Sequence, residues 1–222
     1  MKRFLGALAI AGLAVIAGGA VVTGGHPEWI AVHRTLAIAL GLMMLPLVRA
    51  GTQGRIALIL TAIEIVPGVP VLHACLAPVI LALIVFLWGE PVMPAAARDS
   101  LSSFAIAIPP LLLLQIAMGA AYRHKVWGVM PHMGGAMIVT TTALILSVLL
   151  MQRRSDLKNP ATIFMCVVLA QVTLGIASFV LRLLEIDKGV WFTLATAAHV
   201  TMGAATLASS VWLARRVNAA PL

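Results

Sequence analysis

Eight long runs of apolar residues, separated by short stretches of charge, proline or glycine, dominate the chain: Leu5 to Val22, Trp29 to Val48, Ile56 to Val66, Val71 to Trp88, Leu101 to Tyr122, Met130 to Met151, Ala161 to Leu181 and Val190 to Leu213. A helix crossing a bilayer needs roughly 20 apolar residues, whereas barrel strands would show short alternating segments. The unbroken runs therefore predict an all-α membrane protein with eight transmembrane helices. With 62% hydrophobic and 10% charged residues among 222, the composition excludes an ordinary soluble domain. The third run is short and ends at Pro67, Gly68 and Pro70, so its outer end is expected to be broken or tilted.

The net charge of +8 does not indicate nucleic acid, because the basic residues are dispersed at helix ends. With a cytoplasmic amino terminus, Lys2, Arg3, Arg49, Arg55, Arg98, Arg153, Arg154, Lys158, Arg215 and Arg216 lie inside, and Arg34, Arg123, Lys125, Arg182 and Lys188 outside. This positive-inside bias predicts that both termini are cytoplasmic. The longest polar connection, Gly89 to Ser100, divides the spans four and four. We therefore read residues 1–90 as an amino-terminal half, 91–100 as a cytoplasmic linker and 101–222 as a carboxy-terminal half. The opening MKRFLGALAIAGLAVIAGGA has the form of a signal peptide, and we read it as a retained first helix. Cys75 and Cys166 lie within apolar runs without metal-like spacing, which predicts free, buried thiols.

Alternate runs share features. The fifth carries QIAMG (Gln115 to Gly119), the seventh QVTLG (Gln171 to Gly175) and the third EIVPG (Glu64 to Gly68). A polar residue with glycine four positions on puts both on one helix face, where glycine admits close approach by a helix or a flat ligand. The even-numbered runs each carry a histidine near the outer end: His33, His73, His132 and His199. His199 sits deepest, about 13 Å into its span at 1.5 Å per residue. A single such histidine is commonly an interfacial or hydrogen-bonded residue. Four in register point instead to paired axial ligands facing each other across a helical bundle, as in heme sites. Zinc would require three or four converging ligands, and no carboxylate or thiol recurs beside these histidines.

Glu64 stands in an apolar run and should be protonated, paired or functional, while a structural hydrogen bond to a neighbouring helix would equally account for it. Glu28 lies at an interface, where it suits solvation or capping of the second helix. Arg34, Arg123 and Arg182, near outer helix ends, suit either heme propionates or interface anchoring. Met118, Met130, Met133 and Met202 suit packing, since histidines are available as ligands.

Taken together, AVIAGGAVVTGG (Ala14 to Gly25), VHRTLAIALG (Val32 to Gly41), LHACLAPVILALIV (Leu72 to Val85), LLQIAMGAAYRH (Leu113 to His124), PHMGGA (Pro131 to Ala136), AQVTLG (Ala170 to Gly175) and AAHVTMGAATLASSVWL (Ala197 to Leu213) resemble the heme A synthase family of bacterial membrane proteins. The resemblance implies two pseudo-symmetric four-helix bundles in the bacterial cytoplasmic (inner) membrane. It implies a heme b between His132 and His199, and the substrate heme O between His33 and His73. The implied reaction oxidises a ring methyl of heme O to the formyl of heme A, with electrons leaving through the heme b. Glu64 or Glu28 would accept protons, and Arg34 and Arg123 would assist heme binding. A heme O synthase and terminal-oxidase assembly factors are the protein partners such a role suggests. The family expects a glutamate three residues before the second-helix histidine, where this chain has Ile30, and the cysteine pair common in the first outer loop is replaced by GGHPEW. Two other readings stand beside the synthase: a di-heme b-type electron carrier or heme-handling protein without methyl oxidation, and a membrane scaffold without heme.

Overall fold

The computed structural model describes residues 2–65, 68–88, 99–186 and 189–219. Its helices are α1 (Lys2–Thr23), α2 (Ile30–Met44), α3 (Gly51–Ile65), α4 (Pro70–Trp88), α5 (Ser100–Arg123), α6 (Val129–Arg153), α7 (Lys158–Leu183) and α8 (Val190–Val217). Short 3-10 segments, Pro27–Trp29, Leu45–Arg49 and Ser155–Leu157, flank α2 and precede α7.

Seven of these helices, α2 counted with its 3-10 flanks and α7 with the segment before it, are long and apolar enough to cross a membrane. The chain is thus a multi-pass, all-helical membrane protein. The exception is α3, whose 15 residues extend about 22 Å at 1.5 Å per residue against a hydrocarbon core of about 30 Å. The eight apolar runs each form a helix, and among the described residues seven of these reach spanning length. Val66 and Pro67, where the third run was expected to break, lie outside the described residues, as do positions 91–98 of the linker, Arg98 included, and Lys188.

Within residues 2–88, α1 packs on α2 and α4, α2 on α3, and α3 on α4. Beyond the linker, α5 packs on α6, α6 on α7, α7 on α8, and α8 returns to α5. α8 also lies against α1 and α4, and α4 touches α5. Between lipid-surrounded helices apolar burial gives no net drive, so close packing by small residues holds them together. The buried face of α8 follows that rule, with Ala197, Gly203, Ala204, Ala208 and Ser210 among its members. Ile16, Leu81, Val85, Ala204 and Ala208 form the cluster joining α1, α4 and α8.

The two larger cores lie away from the histidines. One joins Leu5, Leu8, Leu40, Met44, Leu47, Ala57, Ile80 and Ile84. On α2 and α4 these residues begin seven positions past His33 and His73, toward the far end of each helix. The other gathers Leu101 to Leu112 of α5, Val139 to Leu150 of α6, Ala161 to Val168 of α7 and Leu207 to Val217 of α8, again beyond His132 and His199. The expectation of two buried thiols fails for one of them: Cys75 is partly buried, but Cys166 is exposed on α7, and both are free.

Asp99 starts α5. Its extended backbone (φ −88°, ψ −177°) lets the carboxylate accept the Ser102 amide at 2.7 Å, satisfying a donor that the first turn leaves unpaired. That bond holds the Asp99 carboxyl below its usual pKa. The stabilisation it gives is complete above the ordinary aspartate range and is lost as pH falls through the lowered folded-state value. Asp99→Ala is expected to cost about 1 kcal/mol, and Asp99→Asn to keep most of the cap while removing this acid-linked loss. Thermal melts in detergent across the acidic range measure both.

Candidate functional site

The structure brings the four histidines into two facing pairs. His33 and His73 have ring centroids 6.1 Å apart with planes at 84°; His132 and His199 are 6.3 Å apart at 83°. His33, His73 and His132 are each the fourth residue of a helix, those beginning at Ile30, Pro70 and Val129. His199 lies further along, the tenth residue of α8; Thr193, earlier in the same helix, donates its hydroxyl to the Gly24 carbonyl at 3.5 Å beside the end of α1.

A repeated seat holds these rings. A methyl group added at Gly19 of α1, Gly119 of α5 or Gly175 of α7 would lie 2.8 Å from Cε1 of His33, His132 or His199 respectively. Each histidine thus packs flush on a glycine of the preceding helix, where a side chain would collide. Four residues before each glycine stand Val15, Gln115 and Gln171. His33 Nδ1 donates to the Val15 carbonyl at 3.1 Å and His199 Nδ1 to the Gln171 carbonyl at 3.2 Å. The polar-residue pattern in the sequence missed the first copy, Val15 and Gly19, because the group in use is a backbone carbonyl. The third copy departs from its expected form: α3 ends at Ile65, so Gly68 stands outside the helix that carries Glu64.

The side chain four before the glycine differs from copy to copy. Gln115 donates its amide to the His132 carbonyl at 2.8 Å and lies 2.9 Å from His132 Nδ1, with its oxygen buried and without a partner. Rotating that amide by 180° would give Nδ1–H an acceptor in place of the carbonyl bond. The Gln171 amide lies 3.5 Å from His199 Nε2. Glu64 presents Oε1 3.1 Å from His73 Nδ1; its side chain is 12% exposed and that of His73 42%. The distance is that of an ion-pair contact, and neither carboxylate oxygen receives a hydrogen-bond donor among the described residues.

The remaining candidates lie elsewhere. Glu28 is exposed and pairs with His26 at 2.9 Å. Arg34 is exposed, one residue after His33. Arg123 donates to the Ala20 carbonyl at 2.5 Å, tying α5 to the residue after Gly19, and Arg182 lies over the Tyr122 ring at 5.4 Å. Met118 packs against Gly135, whereas Met130 is 73% exposed.

Two imidazoles on opposite sides of one metal ion fix their separation. With a metal–nitrogen distance of about 2.0–2.1 Å, as zinc shows, and ring bonds of about 1.33 Å placing nitrogen about 1.1 Å from the centroid, the centroids stand about 6.2–6.4 Å apart. Both pairs match that span. No cluster of three or more histidine, cysteine or acidic residues suited to an ion occurs among the described residues; an ion held between either pair would have two protein ligands and would need its other positions filled by something else, as a porphyrin would do.

No protein-family model and no curated protein matches the chain.

Proposed function

We propose that this protein is a heme-binding membrane oxidoreductase resembling heme A synthase, oxidising a ring methyl of heme O to the formyl of heme A. The observation that carries the proposal is the separation of both histidine pairs, 6.1 and 6.3 Å, within about 0.2 Å of the span of two imidazoles on one metal ion. The glycine seats at 19, 119 and 175, and the carbonyls that hold Nδ1–H of His33 and His199, support it. Such contacts orient the ring and turn Nε2 away from the carbonyl; at His199 the Gln171 amide, 3.5 Å from Nε2, would give way to an ion. The concentration of buried core residues beyond the histidines leaves the histidine-bearing ends for a large flat ligand.

In this reading the halves are two pseudo-symmetric four-helix bundles with both termini cytoplasmic. His132 and His199 hold heme b, which when bound supplies one-electron transfer. His33 and His73 hold and orient heme O. Oxidation of a methyl group also releases protons, and Glu64, beside His73 in a largely buried position, is the group able to take them. Glu64→Gln removes that acceptor at constant shape. Turnover is expected to fall by about 100-fold or more, the usual contribution of a positioned acid or base, with heme b content unchanged; heme A formed per chain in membranes is the readout.

The near-identity of the two pairs also favours a second reading, a di-heme b-type electron carrier, since it suits two resident hemes equally. Acid extraction of the purified protein, followed by chromatography, separates the readings. Heme B together with heme O or A supports the synthase. Heme B alone, from cells that contain heme O, favours the carrier, and a colourless protein overturns both.

A further inference from the structure

Three of the four hairpins share the glycine seat, and the side chain four positions before the glycine differs in all but two of the four. At the position preceding the glycine by four stand Val15, Glu64, Gln115 and Gln171, and Glu64 alone is acidic. Its carboxylate lies 3.1 Å from Nδ1 of His73, whereas the Nδ1 atoms of His33 and His199 face backbone carbonyls and that of His132 a neutral amide. Three of the four histidines thus have neutral partners, and one has a carboxylate.

We infer that Glu64 is a positioning residue that polarises His73 and makes an iron held by His33 and His73 the lower-potential one of two. A carboxylate 3.1 Å from Nδ1 holds negative charge against that side of the ring, which drives electron density toward Nε2 and makes imidazole a stronger donor. Hydrogen bonding and charge beside an axial ligand are among the levers that set an iron potential. Both effects favour the oxidised ion, because a stronger donor and a nearby negative charge stabilise the higher positive charge. Gln115 and Gln171 supply no such charge to His132 and His199. The first electron added to a fully oxidised protein therefore settles in the carboxy-terminal half, and electrons released in the amino-terminal half run downhill toward it. This inference rests on the proposed heme ligation and adds the residue that sets the potential of the amino-terminal site.

The test is a spectroscopic redox titration of the purified full chain supplied with hemin. His33→Ala, which removes a ligand from the amino-terminal half, identifies the remaining step as that of the other half. In the unmodified protein the amino-terminal step should come at lower potential. Glu64→Gln should raise that step enough to change the oxidised-to-reduced ratio at least tenfold at fixed potential, 59 mV for one electron, and leave the other step in place. Gln115→Glu, which puts the carboxylate beside His132, should lower the carboxy-terminal step. Two bound hemes whose potentials do not respond to Glu64→Gln would overturn the inference while leaving heme ligation standing. A chain that takes up no heme in its amino-terminal half would overturn the inference together with the ligation on which it rests.

Discussion

Replacing His132 or His199 with alanine is expected to abolish the low-spin heme spectrum of the carboxy-terminal half while leaving the amino-terminal site able to take up heme. The two rings face each other at 6.3 Å, and in the proposed ligation each is one of two protein ligands to an iron between them. Loss of a partner that merely orients a metal ligand weakens binding by about 10–100-fold, and loss of the ligand itself should exceed the upper end of that range. The amino-terminal pair shares no ligand with this site, so His33→Ala and His73→Ala should show the converse pattern. His26 serves as a control: it pairs with the exposed Glu28, and His26→Ala should leave both spectra unchanged. Heme-to-protein ratio and visible spectra of the purified variants report the result.

Gly119→Ala and Gly175→Ala are expected to be nearly as damaging, although neither touches a ligating atom. The added methyl would stand 2.8 Å from Cε1 of His132 or His199, closer than carbon atoms approach, so the ring or the helix must shift. Overpacking of this kind costs about 1–3 kcal/mol. Because the displaced group is the proposed ligand, heme affinity should fall with stability. Gly19→Ala should do the same to His33. Gly134 provides the contrast, since nothing lies within 4 Å of a methyl added there; Gly134→Ala should gain about 0.5–1 kcal/mol from helix propensity alone and keep its heme. Thermal melts alongside heme content distinguish displacement of a ligand from general loss of packing.

The eight helices were legible in the apolar runs because a bilayer imposes length and hydrophobicity on every span. Helix α3 shows the limit of that reading: its run was visible as short, and its 15 described residues, with the polar Thr52 and Gln53 in the first turn, extend about 22 Å. The four histidines and the spacing of Gln115 and Gln171 to glycine were visible as well, since helical periodicity sets residues four apart on one face. The pairing of His33 with His73, and of His132 with His199, depends on which helices close each bundle, and periodicity carries no such information; it came from the family resemblance. Val15 and Gly19 escaped notice because a backbone carbonyl leaves no mark in side-chain chemistry. Glu64 stood out as an acid in an apolar run, but its contact with His73 depends on how α3 meets α4. The exposure of Cys166 depends on which face of a uniformly apolar helix is turned outward, and hydropathy alone does not encode it.

The most direct test of paired-histidine heme ligation is electron paramagnetic resonance of the oxidised, purified chain saturated with hemin, quantified per chain. Two low-spin hemes per chain are predicted, with the strong anisotropy that axial imidazole planes near 84° and 83° impose on the iron. A high-spin signal from both sites, or the absence of bound heme, would contradict it.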